Sequence, residues 1–330
     1  MSPSALAKVI ERERLEPGSF AAEALAGLTA TPKKMPPKFF YDSAGSELFE
    51  RITELPEYYP TRCELEILQT HAGDIAAFFP RGAALVEFGS GSSRKTRLLL
   101  DRAGAIQAYV PVDISTEFLR QQVQSLSAEY AEVAMLPVGA DFLSPFELPA
   151  QTSALPRVGF FPGSTIGNLE PHEAAAFLLQ AGKILGAGAV FVIGVDLIKD
   201  EKVLFKAYND SAGVTADFNR NLLVRMNREL AANFDIASFE HHAFYNSERS
   251  RIEMHLASLK RQRVSLCGVS IAFRAGETIH TESSYKYSIE GFQCLARGAG
   301  WTPLSVWTDA RTYFSVHVLK ANGEPFSRAG

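Results

Sequence analysis

The chain of 330 residues is 46% hydrophobic and 21% charged, as expected of an ordered, water-soluble globular protein with room for two hydrophobic cores. A formal net charge of −4 and the absence of a long basic run argue against affinity drawn from nucleic-acid phosphates, leaving a small molecule as the expected substrate. Three widely spaced cysteines, Cys63, Cys267 and Cys294, form no C-x-x-C pair and no even disulfide framework, so a reducing cytoplasm is expected.

In chain order, the opening MSPSALAKVIERERLEPGSF places charges where a signal peptide needs an apolar run, and nowhere does a hydrophobic stretch reach bilayer length. Neither export nor membrane insertion is expected. PPKFFYDSAGSELFERI, residues 36–52, reads as part of a lid. The ELEIL helix around Glu64 and Glu66 reads as solvated or hinge-packed, with no acid/base task. From 84 to 196, β-like runs alternate with amphipathic helical stretches, the pattern of parallel strands joined by right-handed crossovers. The expected strands are LVEFG, AYVPVDI, VAMLPVGADF, RVGFFPG and AVFVIGVDL. TRLLLDRAG, STEFLRQQVQSLSAEYAEV and EPHEAAAFLLQAGKILGAG are the helices between them.

Residues 199–286 break this alternation. A long polar helical region, AYNDSAGVTADFNRNLLVRMNREL, precedes strand-like HHAFYNSE, SRIEMHLASLK, RQRVSLCG and VSIAFRAGETI. The C-terminus then supplies a helix, SIEGFQCLARGAG, and two strands, PLSVWTD and YFSVHVLKA, before the polar tail GEPFSRAG. The expected architecture is α/β, a seven-stranded Rossmann-like sheet from 61–198 and 287–330 with an inserted α+β substrate-binding domain from 1–60 and 199–286. Ligands of open α/β sheets bind at the carboxyl ends of the strands, where the inserted residues are expected to form the lid. With no coiled-coil heptad in view, a monomer is expected.

The most informative stretch is VEFGSGSSRKTR, residues 86–97, where an apolar run ends on Glu87 and breaks into alternating glycine and serine before a basic helical segment. Gly89 and Gly91 let the backbone approach a ligand, and the helix that follows offers free N–H groups. A dinucleotide fingerprint needs a third small residue three positions after the second glycine; Arg94 stands there, which weakens a nicotinamide reading. Asp113 ends the second strand, where a carboxylate can accept both hydroxyls of a ribose; the alternative is a helix N-cap at Asp113 or Ser115. Asp141 and Phe142 follow the third strand, placed to meet an adenine amino group and ring, although singly they read as a loop aspartate and a core phenylalanine. His241, His242, His255 and His280 lack the H-E-x-x-H or cysteine spacing of metal sites, and no metal is expected.

The glycine turn resembles the E-x-G-x-G-x-[GS] element of class I methyltransferases, which places S-adenosylmethionine over the turn. The resemblance becomes specific over FFYDSAGSELFERITELPEYYPTRCE, VEFGSGSSRKTRLLL, YVPVDIS, FFPGSTIGNL, DLIKD, AYNDSAGVTADFN, RIEM and TESSYKY. In this order and spacing they resemble the histidine-specific methyltransferase family, which includes the L-histidine Nα-methyltransferases of ergothioneine biosynthesis. That family also includes fungal enzymes acting on the amine of prenylated tryptophan, so membership alone leaves the substrate open.

The resemblance implies that Tyr41, Gly89, Lys95, Asp113, Asp141 and Phe142 surround S-adenosylmethionine, and that Tyr58, Asn168, Tyr208, Met254, Glu282 and Ser284 bind the amino acid. Tyr58 is preferred over the adjacent Tyr59, and Tyr41 and Tyr58 are the candidates for steering the reacting amine. Glu282 and Ser284 share a side if TESSYKY is extended, and a carboxylate with a hydroxyl suits the two nitrogens of an imidazole. An indole, with one N–H, would leave a buried Glu282 poorly satisfied, so L-histidine is the expected substrate. The other readings are a surface hairpin carrying Glu282 and Ser284, aromatic residues that only pack a core, methylation of another amino acid such as a tryptophan derivative, and a noncatalytic S-adenosylmethionine sensor. The expected chemistry is direct displacement, with three successive methyl transfers to the α-amine.

Overall fold

The computed structural model describes residues 16, 18–91, 93–102 and 106–323. Most of the opening segment and of the polar tail lie outside the described residues, as do Ser92 of the glycine turn and the end of TRLLLDRAG. In chain order the elements begin with α1 (Phe20–Thr29), β1 (Lys33–Lys34), α2 (Ser43–Glu54), α3 (Tyr59–Ala76), β2 (Ala83–Phe88), α4 (Arg94–Leu100), β3 (Ile106–Asp113) and α5 (Thr116–Glu129). They continue with β4 (Ala134–Met135), β5 (Val138–Gly139), β6 (Arg157–Phe161), α6 (Pro171–Leu185), β7 (Val190–Asp196), α7 (Glu201–Tyr208) and α8 (Val214–Glu229). Last come β8 (Phe239–Asn246), β9 (Arg251–Ser258), β10 (Gln262–Leu266), β11 (Val269–Phe273), β12 (Thr278–Tyr285), α9 (Ile289–Gly298), β13 (Trp301–Thr308) and β14 (Phe314–Ala321). Two compact units result among the described residues, a larger one of Tyr59–Lys199 with those from Tyr285 onward, and a smaller one of those up to Tyr58 with Asp200–Ser284.

The larger unit is built on one sheet of order β13-β14-β7-β6-β2-β3, with β4 and β5 both against β3, so that eight segments fill seven positions. β14 runs antiparallel to β13 and β7, and the remaining pairings are parallel. The order and the one strand antiparallel to its neighbours fit the expected Rossmann-like α/β architecture. β2 and β7 are buried at every residue, which is why they read in the sequence as unbroken apolar runs. Phe88 meets Phe177 and Phe191 with ring centroids 5.6 Å away in each case, and the Trp301 indole N–H donates to the Leu178 carbonyl at 2.8 Å. Burying a side chain such as Phe88 stabilises the fold by roughly 2–3 kcal/mol. The chain leaves β2 for β3 on one side and returns to β6 on the other. The carboxyl end of β2 is therefore the switch point at which such sheets bind ligands.

VAMLPVGADF is not one strand. It pairs with β3 only in the two-residue pieces β4 and β5, separated by Leu136 and Pro137, because proline has no N–H to give a ladder.

The smaller unit contains a four-stranded sheet, β1-β12-β9-β8, and a separate antiparallel hairpin, β10-β11. The expected long polar helix is two helices: Gly213, at φ +74°, ends the link after α7, and the Asp210 carboxylate accepts from the N–H groups of Val214 (2.9 Å) and Thr215 (2.8 Å) to start α8. VSIAFRAGETI likewise divides into β11 and the start of β12, at a turn where Gly276 takes φ +78°. Asp42 caps α2 by accepting from the Gly45 N–H at 2.8 Å, and the same carboxylate receives Asn221 Nδ2 (2.8 Å) and Arg228 (2.5 Å) from α8. The FFYD block is thus anchored to α8.

Candidate functional site

The residues expected to hold S-adenosylmethionine, other than Tyr41, stand in the larger unit, Gly89, Asp113, Asp141 and Phe142 at the ends of successive strands and Lys95 on a helix. Gly89 follows β2 with φ +75°, a left-handed conformation that glycine adopts freely, and a side-chain carbon placed there would lie 3.5 Å from the Phe142 ring. Asp113 ends β3, and its Oδ1 accepts from the Ser115 N–H at 2.8 Å, while Ser115 itself is the N-cap position of α5. Burial pushes the Asp113 carboxyl up, opposed by the backbone N–H groups of Ser115, Ser90, Ile114 and Gly91. The carboxylate therefore faces the glycine turn. Asp141 closes its own turn by accepting from the Leu143 N–H at 3.0 Å, and Phe142 packs 5.4 Å from Phe161.

The turn has the character of a ligand cradle. Ser90 Oγ is buried with no hydrogen-bond partner among the described residues, an arrangement a polar ligand relieves. Beneath it Glu87, 2% exposed, accepts from Thr96 Oγ1 at 2.6 Å and from the Tyr109 hydroxyl. Burial pushes Glu87 up to about 7, against both hydrogen bonds. S-adenosylmethionine fits this set: acceptors at two strand ends for hydroxyl and amino groups, a backbone open to close approach, and an unpartnered hydroxyl.

Lys95, on the first turn of α4, pairs with Glu64 Oε2 at 2.6 Å. Glu64 is fully buried rather than solvated; its two oxygens also take the Gly163 N–H at 3.0 and 2.9 Å. A side chain at Gly194 would put its first carbon 2.1 Å from Glu64 Oε1, so that glycine is what admits the carboxylate. The signal lay in the helical spacing, since Glu64 shares a face with Ile67 and Leu68, both buried. A second buried network gathers on Asp196 at the end of β7. Tyr59 donates to it at 2.7 and 2.9 Å, Lys286 Nζ lies 2.7 Å away and Lys199 Nζ 2.5 Å. The Tyr59 hydroxyl is therefore committed to structure. Ser164 Oγ accepts from the Asp196 N–H at 2.9 Å, fixing the loop of residues 161–168 that ends in Asn168.

The other amino-acid candidates, Tyr58, Tyr208, Met254, Glu282 and Ser284, belong to the smaller unit, as does Tyr41; Asn168 belongs to the larger. Tyr208 and Ser284 share a hydrogen bond of 2.7 Å, and the Tyr58 ring stands edge-on to Tyr208 at 6.4 Å. Phe49 continues the line, 6.2 Å from Tyr58 and 5.7 Å from Tyr41. Glu282 and Ser284 both lie on β12, in alternate positions that point to one side of the strand. Met254 lies on β9, where its carbonyl accepts from Thr281 Oγ1 at 3.0 Å.

Sequence reasoning missed what aligns them. The Asn219 side chain accepts from Thr281 Oγ1 (2.8 Å) and donates to the His255 carbonyl (3.0 Å) and to His241 Nδ1 (2.9 Å). His241 Nε2 in turn donates to the Tyr208 carbonyl at 2.9 Å. Burial holds the His241 ring below the usual imidazole range. This chain of bonds ties the strands carrying Met254 and Glu282 to the helix end carrying Tyr208.

The family described as histidine-specific, S-adenosylmethionine-dependent methyltransferase matches residues 20–321. A histidine N-alpha-methyltransferase of Mycolicibacterium smegmatis is 44% identical over 311 residues, covering 90% of this chain and 94% of that protein. Its counterpart from Mycobacterium tuberculosis is 42% identical over 300 residues, covering 88% and 91%. Ergothioneine biosynthesis protein 1 of Neurospora crassa is 31% identical over 319 residues, which span 90% of this chain and 34% of that longer protein. No described helix is long and apolar enough to cross a membrane.

Proposed function

The chain belongs to the histidine-specific, S-adenosylmethionine-dependent methyltransferase family, and from that premise we propose that it transfers three methyl groups in succession to the α-amine of L-histidine, giving hercynine for ergothioneine biosynthesis. The observation that carries the choice of amino acid is the joint placement of Glu282 and Ser284 on β12, with Ser284 bonded to Tyr208 beside Tyr58. Glu282 accepts one imidazole N–H, and the Ser284 hydroxyl, able to donate or accept, serves the other nitrogen. Tyr208 offers the α-carboxylate a neutral hydrogen bond, Met254 packs against the substrate, and the family resemblance adds Asn168 as a further amino-acid contact.

Bound S-adenosylmethionine supplies an electrophilic methyl group on a positively charged sulfur. Asp113 would accept the ribose hydroxyls, Asp141 the adenine amino group, and Phe142 would contact the base over the turn of Gly89, with Lys95 on the helix that follows; the family resemblance adds Tyr41 as a cofactor contact. No covalent intermediate on the protein is needed, because the amine displaces directly; the gain comes from fixing two reactants in one near-attack geometry. Each transfer requires the amine to give up one proton and aim its lone pair at the methyl carbon. A tyrosine of ordinary pKa, about 10, is a poor base but a good director, so Tyr41 and Tyr58 orient the lone pair while water takes the proton. The aromatic rings of Tyr41, Phe49, Tyr58 and Tyr208 also favour the positive charge that becomes permanent at the third transfer. The unpaired state of the three cysteines supports the cytoplasm as its compartment, where the chain acts as a monomer without nucleic acid or membrane.

Purified protein with S-adenosylmethionine and a mixture of the common amino acids provides the test, read by mass spectrometry. Histidine alone is expected to gain three methyl groups. Methylation of tryptophan or another amino acid instead would overturn the roles given to Glu282 and Ser284; no methylation at all would favour a sensor.

A further inference from the structure

On the reading that Lys95 meets the cofactor, we propose that Glu64 is a positioning residue for it: the buried carboxylate holds the Lys95 ammonium beside the glycine turn, set to receive the carboxylate of S-adenosylmethionine. Lys95 lies on α4, which follows the turn after β2, and a side-chain carbon placed at Gly163, two residues after β6, would stand 3.5 Å from its Nζ. β2 and β6 are neighbours in the sheet, so the ammonium stands between their carboxyl ends, at the switch point. Glu64 Oε2 takes one of its three N–H groups at 2.6 Å, and 18% of the Lys95 side chain is exposed. S-adenosylmethionine carries one anionic group, the carboxylate of its amino-acid end, and that is the group an ammonium recognises.

Glu64 can set a position because it is itself confined. The carboxylate is fully buried on α3, both its oxygens accept from the Gly163 N–H, and β7 comes close enough that only a glycine at 194 leaves it room. Gly163 belongs to a loop fixed in an unfavourable shape. Ser164 takes φ +56°, in the left-handed region, at a cost of about 1–2 kcal/mol, and its Oγ accepts from the Asp196 N–H at 2.9 Å. Such strain persists where the surroundings over-determine the backbone.

A lysine side chain gives up about 2 kcal/mol of rotamer entropy when it is immobilised, and Glu64 imposes that loss before a ligand arrives. Stability alone does not account for the pair, since a buried ion pair is often worth no more than packed apolar side chains of the same volume. A fixed ammonium at the switch point is what the pair adds.

The test is calorimetric titration of the full-length protein and its variants with two ligands, S-adenosylmethionine and methylthioadenosine, which keeps the adenine and ribose and lacks the amino-acid end. Glu64→Asp keeps the charge and draws it back by one carbon, whereas Glu64→Gln keeps the length and removes the charge. Each should weaken S-adenosylmethionine about tenfold and methylthioadenosine by less than about twofold. Lys95→Met should show the same contrast, at about 10- to 100-fold for S-adenosylmethionine. Adding Glu64→Gln to Lys95→Met should bring no further loss, because Glu64 acts through Lys95. Glu66→Gln, exposed on the same helix, leaves both affinities unchanged. A merely structural pair would weaken both ligands together as the fold loosens, so equal losses for the two ligands in the Glu64 variants, or no loss, would overturn the positioning role. If Lys95→Met also fails to discriminate, the reading of Lys95 falls with it; if Lys95→Met discriminates and the Glu64 variants do not, the role of Glu64 falls alone.

Discussion

Replacing Glu87 with glutamine separates a charge from the shape that surrounds it. The carboxyl is buried, and burial raises it from 4.5 to about 7 while Thr96 and Tyr109 pull the other way. Because the folded value lies above the unfolded one, folding takes up a proton between those two values. Its stabilising contribution is complete below about pH 4.5 and is lost as pH rises through 7. The whole change is roughly 3 kcal/mol, of which roughly 2 kcal/mol falls between pH 5.5 and 8.5. Glutamine keeps an oxygen for both hydroxyls and does not titrate. The variant should therefore gain on the wild type by roughly 2 kcal/mol across that interval. Urea unfolding at several pH values reads this directly, through the fluorescence of Trp301 and Trp307, both on β13 of the unit that contains Glu87. Stability curves for the two proteins that stay parallel from pH 5.5 to 8.5 would refute the assignment of a high-pKa acid beneath the glycine turn.

Glu282→Ala should weaken histidine binding by about 10- to 100-fold, the loss of one charge-assisted hydrogen bond, and leave S-adenosylmethionine binding intact; calorimetric titration with each ligand tells the two apart. Asp113→Ala should do the reverse, and unaltered cofactor affinity would show that the ribose is held elsewhere. Glu64→Ala strands Lys95 and the Gly163 N–H, and a destabilisation of about 3–5 kcal/mol should appear as a lowered urea midpoint. Gly89→Ala forces a side chain into φ +75°, which costs about 1 kcal/mol in stability and pushes the turn against its ligand; cofactor binding falling further than stability is the expected reading.

The strands β2, β3, β6 and β7 were legible because burial on both faces leaves a dense apolar run that no helix interrupts. Where a single residue decides, composition misled: Pro137 divides an apolar run into β4 and β5, and Gly213 with Asp210 cuts a continuous polar helix in two. Glu64 read as solvated because its neighbours Glu66 and Arg62 are exposed, while its own helical face turns inward. Of the candidate site, the positions at strand ends follow from the motif itself, since Gly89, Asp113 and Asp141 each close a β-run. The supports were illegible for a different reason. Asn219 with His241, and Asp196 with Lys286, are partners brought together only by the tertiary fold, and each alone reads as an ordinary polar residue.

Each unit is assembled from two separated stretches of chain, and this order imposes a schedule on synthesis. The strand β1 pairs with β12, so the sheet of the smaller unit cannot close until residue 284 has emerged from the ribosome, long after residues 20–58 are available. At roughly 5–20 residues per second, translating 59–199 alone keeps α1, β1 and α2 waiting for roughly 10–30 s. The larger unit is completed later still, because β14 must enter between β7 and β13 after residue 313. A newborn chain is thus exposed with an open edge on β7, which makes residues 289–321, carrying α9, β13 and β14, the step that retires the nascent protein's risk of aggregation.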